Sequence, residues 1–194
     1  MARKSIDLAL PTPAGWIETV LEDIDAFIAD HANCERKASA MAMGMVVKYP
    51  DRDQIIPGLI AVAREELEHF DQVYALMRAR GIALVRDERD DYVGQLMTSA
   101  RHGRDDRFLD RLLIASVVEC RGAERFGLVA EHVPDAELAE FYRLLRNGEL
   151  KHGHVFVDLA LRYFDSSAVY TRLREFVDAE AAIVEALPLR AALH

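Results

Sequence analysis

A chain of 194 residues, 51% hydrophobic and 29% charged, has the size and composition of one soluble globular domain, with no need of disulfide staples. Two cysteines, Cys34 and Cys120, exclude a disulfide framework and a four-cysteine zinc site and suit a reducing cytoplasm. A net charge of −9 argues against broad charge-driven binding to nucleic acid, and no run reaches the roughly 18–20 apolar residues of a membrane helix.

The basic start, Met-Ala-Arg-Lys-Ser, leads into a short apolar stretch that meets Pro11 and Pro13, so no signal peptide is predicted. With only 10 Gly and 6 Pro, the chain carries apolar residues at helical spacing and shows no strand alternation. Thr12-Pro13 reads as a helix start. From there Trp16, Val20, Ile24, Phe27, Ile28, Ala38, Ala42 and Met45 keep a three-to-four rhythm up to Tyr49-Pro50. A bend near Glu22–Asp25 is expected to divide this into a short leading helix and a long helix A. Asp51-Arg52-Asp53 predicts a turn with a capping aspartate; helix B then runs from Gln54 to Met77, closed by Gly81. Residues 80–104, with three glycines and mixed charges, predict a long connection holding one short helix near Tyr92–Ala100. Helix C is expected over Asp105–Glu131 and helix D from Pro134-Asp135 through Leu159. A terminal helix follows over Ala168–Glu185. The prediction is all-α, a single domain over 1–194, with four long helices and a crossover between the second and third.

The anomaly lies on the apolar faces. On helix B, Glu66 precedes His69 by three residues; on helix D, Glu149 precedes His152 by three. That spacing puts both side chains on one face, close enough to grip one ion. Helices A and C each set a lone glutamate in an apolar stripe: Glu35 in line with Ile28, Ala38 and Ala42, and Glu119 in line with Leu112, Ala115, Ala123 and Phe126. Ionised carboxylates do not enter a core without a counter-charge, and two divalent metal ions supply one. Random placement would already give about 0.6 Glu-x-x-His pairs, so the pairs alone say little. The spacing says more: Glu35 to Glu66 is 31 residues and Glu119 to Glu149 is 30, so each half repeats one unit. Two lone glutamates with two Glu-x-x-His pairs match the ligand set of ferritin-like di-iron and di-manganese bundles.

Neighbouring residues are assigned more ordinary roles. Glu124 competes with Glu119 but breaks the 31/30 symmetry and stands about 140° around the helix. His31, one turn before Glu35, could back that residue, but a capping or surface role is the one expected. His154 is turned away from the ligand face, and Cys34 and Cys120 are read as packing residues, not thiolate ligands. Ala38, Ala42, Gly122 and Ala123 either leave room beside the site or fill a tight helix crossing. Mixed carboxylate and imidazole donors suit iron or manganese better than zinc, which leaves ferroxidase, oxidase and hydroxylase open.

The stretch Asp30-His-Ala-Asn-Cys-Glu-Arg-Lys-Ala, then Tyr49-Pro-Asp-Arg, Ala63-Arg-Glu-Glu-Leu-Glu-His-Phe and Arg80-Gly-Ile, resembles the tRNA 2-methylthio-N6-isopentenyladenosine hydroxylases, the MiaE family. Glu119-Cys-Arg-Gly-Ala-Glu-Arg-Phe, Phe141-Tyr and Glu149-Leu-Lys-His resemble its later metal-binding segments. The chain departs from the family's Glu-Ala-Arg-His only at the two positions between Glu149 and His152. This resemblance runs from about Pro11 to Ala160. It implies a ferritin-like fold and hydroxylation of the isopentenyl group on the modified adenosine beside the tRNA anticodon, giving the 2-methylthio-ribosylzeatin form. It further implies two iron ions held by Glu35, Glu66, His69, Glu119, Glu149 and His152, dioxygen as co-substrate, and two electrons from a redox partner. No catalytic residue beyond the metal ligands is called for. A monomer or dimer in the cytoplasm is expected, the alternative being a ferritin-like ferroxidase or oxidase with no tRNA substrate.

The charge pattern fits a tRNA substrate poorly. Arg78, Arg80, Arg86, Arg89, Arg101, Arg104, Arg107 and Arg111 are opposed by Asp87, Glu88, Asp90, Asp91, Asp105, Asp106 and Asp110, so no basic stripe emerges. Splaying out one loop base needs less phosphate contact than gripping a duplex. The segment Arg101-His102-Gly103-Arg104 is the expected contact with the anticodon stem-loop.

Overall fold

A computed structural model describes residues 6–86 and 90–194; Asp87, Glu88 and Arg89 of the crossover lie outside the described residues, as does the basic start. Among the described residues are seven α-helices and one short 3-10 turn: α1 (Gly15–Glu22), α2 (Ile24–Lys48), the turn Asp53–Ile55, α3 (Ile56–Arg80), α4 (Asp91–Thr98), α5 (Arg104–His132), α6 (Ala136–Ala160) and α7 (Ser166–Ala186). The predicted helices A to D are α2, α3, α5 and α6. Among the described residues no helix is long and apolar enough to cross a membrane.

Local chemistry explains most of the boundaries. Asp23 leaves helical geometry at φ −142° and its carboxylate accepts from Ala26 N at 3.1 Å, which breaks α1 from α2 inside the predicted window. Gly81 ends α3 at φ 74°, the left-handed conformation that favours glycine, and Ile82 N closes onto Met77 O at 2.8 Å. Asp90 caps α4, and Asp135 caps α6 by accepting from Glu137 N and Leu138 N.

Two predicted starts are corrected. Thr12 caps no helix; its backbone N and hydroxyl both donate to the Glu124 carboxylate, at 3.0 and 2.7 Å, so a distant partner has taken the groups that a cap would use. Neither Arg52 nor Ile55, which precede the 3-10 turn and α3, makes a side-chain cap, and Pro57 opens α3 instead.

The chain forms two compact units. One comprises Gly15–Arg89 and Leu189–Leu193. In it α2 and α3 form an antiparallel hairpin, pinned where Ser39 Oγ donates to Ala63 O at 2.7 Å and where Arg80 Nη2 meets Asp25 Oδ1 at 3.1 Å. Trp16 packs edge-on against Phe27 and donates from Nε1 to Ala192 O, while Leu193 N donates to Asp30 Oδ2. These bonds fasten the returning tail to α1 and α2.

The other unit comprises Met1–Ala14, Asp90–Pro188 and His194. Here α5 and α6 form a second antiparallel hairpin, with Ser116 Oγ donating to Gly153 O at 2.8 Å and Phe126 against Tyr142. The two helices approach closely at Gly153, where a Cβ would stand 2.8 Å from Cys120 Sγ and 3.3 Å from Ser116 O. Gly153→Ala is therefore expected to destabilise by about 1–3 kcal/mol through overpacking. Gly122→Ala, whose Cβ meets nothing within 4 Å, should instead stabilise by up to about 1 kcal/mol through helix propensity. Urea midpoints of the two variants test the opposite signs.

This unit also buries an ionic cluster. Arg121 is fully buried and donates to Glu180 from Nε at 2.7 Å and from Nη2 at 2.9 Å, to Thr12 Oγ1, to Leu10 O and to Glu124. Tyr92 OH donates to Glu180 Oε1 at 3.0 Å. A buried guanidinium is tolerable when its fork is satisfied this fully. Burial pushes neighbouring Arg125 down to about 10, still charged at neutral pH.

Candidate metal centre

Each hairpin carries one set of predicted ligands. On α2 and α3, Glu35 and Glu66 are buried, and one donor atom of each lies with one of His69 inside a 4.8 Å spread. His69 Nδ1 stands 3.6 Å from Glu35 Oε2 and 3.6 Å from Glu66 Oε2, its side chain 13% exposed. On α5 and α6, donor atoms of Glu119, Glu149 and His152 fall within the same spread, and all three residues are buried. His152 Nδ1 stands 3.6 Å from Glu149 Oε2, the same atoms at the same distance as in the Glu66–His69 pair.

These distances have chemical meaning. A separation of 3.6 Å is too long for a hydrogen bond but suits donors that share an ion, since groups about 2.1 Å from one cation stand about 3–4 Å apart. Each hairpin offers two carboxylates and one imidazole, a donor set that fits a divalent first-row metal. Helical periodicity does the positioning: the three-residue step turns Glu and His to one face, and the antiparallel pairing brings the lone glutamate of the partner helix alongside. Gly153, next to His152, lets α6 come close to α5.

The residues given ordinary roles separate clearly. Glu124 belongs to the Arg121 cluster, which it joins with Thr12, whereas Glu119 is the α5 glutamate with a donor atom near those of Glu149 and His152. Cys120 is buried and packs toward Gly153; burial, with the Glu180 carboxylate adding to it, pushes its thiol up to about 12. Cys34 Sγ lies 3.8 Å from Asp30 Oδ2. The expectation for His31 is overturned: it is neither a cap nor a surface residue but fully buried, with Nε2 2.6 Å from Glu35 Oε1. Its four-residue step from Glu35 was the available signal, since that step places both side chains on one helix face.

Arg101 is committed within its own unit. It donates to the buried Asp110 from N, Nε and Nη2 and pairs with Asp106, while Arg172 reaches Asp110 from the other side. Burial opposes ionisation of Asp110, yet the bonds from Arg101 and Arg172 hold its carboxyl below the usual range. His102 and Arg104 are exposed.

An all-helical chain whose two helix hairpins each present a lone Glu opposite Glu-x-x-His has the pattern of the ferritin-like carboxylate proteins. A solved structure, protein 43 with aldehyde deformylating oxygenase activity from Synechococcus, matches with a TM-score of 0.92 at 35% identity, covering 96% of this chain and 94% of that one. The fold is therefore ferritin-like. Residues 2–194 match the family described as tRNA-(MS[2]IO[6]A)-hydroxylase (MiaE), and the chain belongs to that family of enzymes. A relative from Pseudomonas putida named tRNA 2-(methylsulfanyl)-N(6)-isopentenyladenosine(37) hydroxylase is 35% identical over 84% of this chain and 78% of its own. One of the same name from Salmonella typhimurium is 25% identical over 91% of this chain and 83% of its own.

Proposed function

We propose that this chain, acting as one domain, is an oxygen-dependent hydroxylase of the isopentenyl group on 2-methylthio-N6-isopentenyladenosine next to the tRNA anticodon. The observation that carries the reading is the family match over residues 2–194, on a chain that keeps the two matched ligand triads. Glu35, Glu66 and His69 would hold one iron ion and Glu119, Glu149 and His152 a second, which makes the reading a di-iron one. When bound, the metals supply reductive activation of dioxygen. The balanced reaction converts a methyl group, dioxygen, two electrons and two protons into a hydroxymethyl group and water, so an external donor must deliver the electrons. The six side chains hold and orient the ions, their four carboxylates offsetting the metal charge. Burial of the ligands limits water near the reacting methyl group. The acidic chain receives its base as one splayed nucleotide, with His102 and Arg104 exposed in the expected contact segment.

Nucleoside analysis of tRNA from cells lacking the gene tests this. The hydroxylated prenyl nucleoside should vanish, return with the intact gene, and fail to return with Glu66→Ala. One observation favours a second reading: the Synechococcus protein with aldehyde deformylating oxygenase activity is as similar in sequence, at 35%, as the Pseudomonas putida tRNA hydroxylase. Unchanged tRNA nucleosides, with aldehyde consumed by the reduced, iron-loaded protein, would favour a dinuclear oxygenase that has no tRNA substrate.

A further inference from the structure

The two lone glutamates hold matching places in their hairpins, but one turn upstream their surroundings differ. His31 on α2 is fully buried with Nε2 2.6 Å from Glu35 Oε1. An ionised carboxylate only accepts, so the imidazole donates and carries its proton on Nε2. Its ring is stacked on Phe27, with centroids 6.3 Å apart and planes 28° from parallel, which fixes the direction of that donor. The other oxygen of Glu35, Oε2, lies 3.6 Å from His69 Nδ1. The two oxygens of this carboxylate are thus differentiated: one turned to a histidine on its own helix, the other toward the donor atoms on α3. On α5 the position one turn before Glu119 is Ala115, whose side chain has no polar atom.

We infer that His31 is a positioning residue that confines Glu35 to binding metal through Oε2, and so makes the metal position on α2–α3 chemically distinct from its counterpart on α5–α6. The inference rests on the dinuclear reading above. An N–H donor on one carboxylate oxygen favours single-oxygen ligation and withdraws charge from the ligand. It also fixes the rotamer before the ion arrives. Groups that orient a ligand in this way are worth about 10–100-fold in metal affinity. Because the position on α5 that matches His31 is Ala115, which cannot supply such a donor, the two positions are expected to fill unequally.

The test titrates metal-stripped, full-length protein with Co(II), following heat and visible absorption. The unaltered protein should bind two equivalents in two resolved steps with different ligand-field bands. His31→Phe keeps an aromatic ring on Phe27 and removes the donor; one step should weaken about 10–100-fold with an altered band while the other stays put. His31→Gln, whose amide can donate to the same oxygen, should restore the band. If His31→Phe does not fold, as judged by circular dichroism, His31→Leu carries the same expectation. Two steps unchanged in a folded Phe or Leu variant would overturn the role of His31 and leave the dinuclear reading standing. An unaltered protein that binds fewer than two equivalents would overturn both.

Discussion

Glu66→Gln is expected to abolish metal binding in the α2–α3 hairpin and tRNA hydroxylation with it, and also to raise the melting temperature of the metal-stripped protein. The sign follows from the geometry. Glu35 and Glu66 are buried carboxylates with donor atoms less than 4.8 Å apart. Without a cation, two such charges are held together out of water at a cost, and removing one relieves it. With a cation, the same change deletes a ligand. The unaltered protein should gain about 2.7 kcal/mol from a metal at a hundred times its dissociation constant, and the variant should gain much less. At about 2–4 °C per kcal/mol for a chain of this size, that gain is a rise of about 5–10 °C. Thermal melts of stripped and Mn(II)-loaded protein decide it. A stripped variant less stable than its parent would mean that Glu66 contributes packing or hydrogen bonding rather than a ligand held against repulsion.

Glu180→Ala should be the most damaging change away from the metal ligands. It strips the fully buried Arg121 of two hydrogen bonds and Tyr92 of its acceptor. Breaking a buried pair by removing one partner costs about 3–5 kcal/mol, because the remaining charge stays out of water. The melting temperature should fall by about 10 °C. Glu140→Ala, in an exposed pair with Arg143, is the control and should shift it by no more than about 4 °C. Replacing both partners, Arg121→Met with Glu180→Leu, should recover much of the loss, since the penalty belongs to the orphaned charge rather than to the missing pair. Failure of the double variant to recover would show that Glu124 and Thr12 also depend on the guanidinium.

Much of this was legible in the chain because helices announce themselves locally. The bend at Asp23, the glycine stop at Gly81 and the cap at Asp135 depend on residues a few positions away, and each falls where the pattern predicts. The six proposed ligands were legible for a different reason, since a charge in an apolar stripe is conspicuous and the 31/30 spacing repeats it. Long-range chemistry was not legible. Thr12-Pro13 has the form of a helix start, yet its hydroxyl answers to Glu124, 112 residues away. Nothing in the local sequence marks Glu180, on the terminal helix, as the acceptor for Arg121 and Tyr92. The anchoring of Arg101 on the buried Asp110 was not legible either.

The repeated donor pattern invites a picture of two interchangeable modules, but the threading of the chain denies it. Leu189–Leu193 returns from beyond α7 to the unit built on Gly15–Arg89, and His194 goes back again, stacking on Tyr92. A contiguous gene segment encoding α1 to α3 would leave out the carbonyl that accepts from Trp16 and the amide that donates to Asp30. Shuffling one hairpin for a homologous one would thus have to carry a distant scrap of sequence with it, which favours inheritance of the whole chain over exchange of its halves.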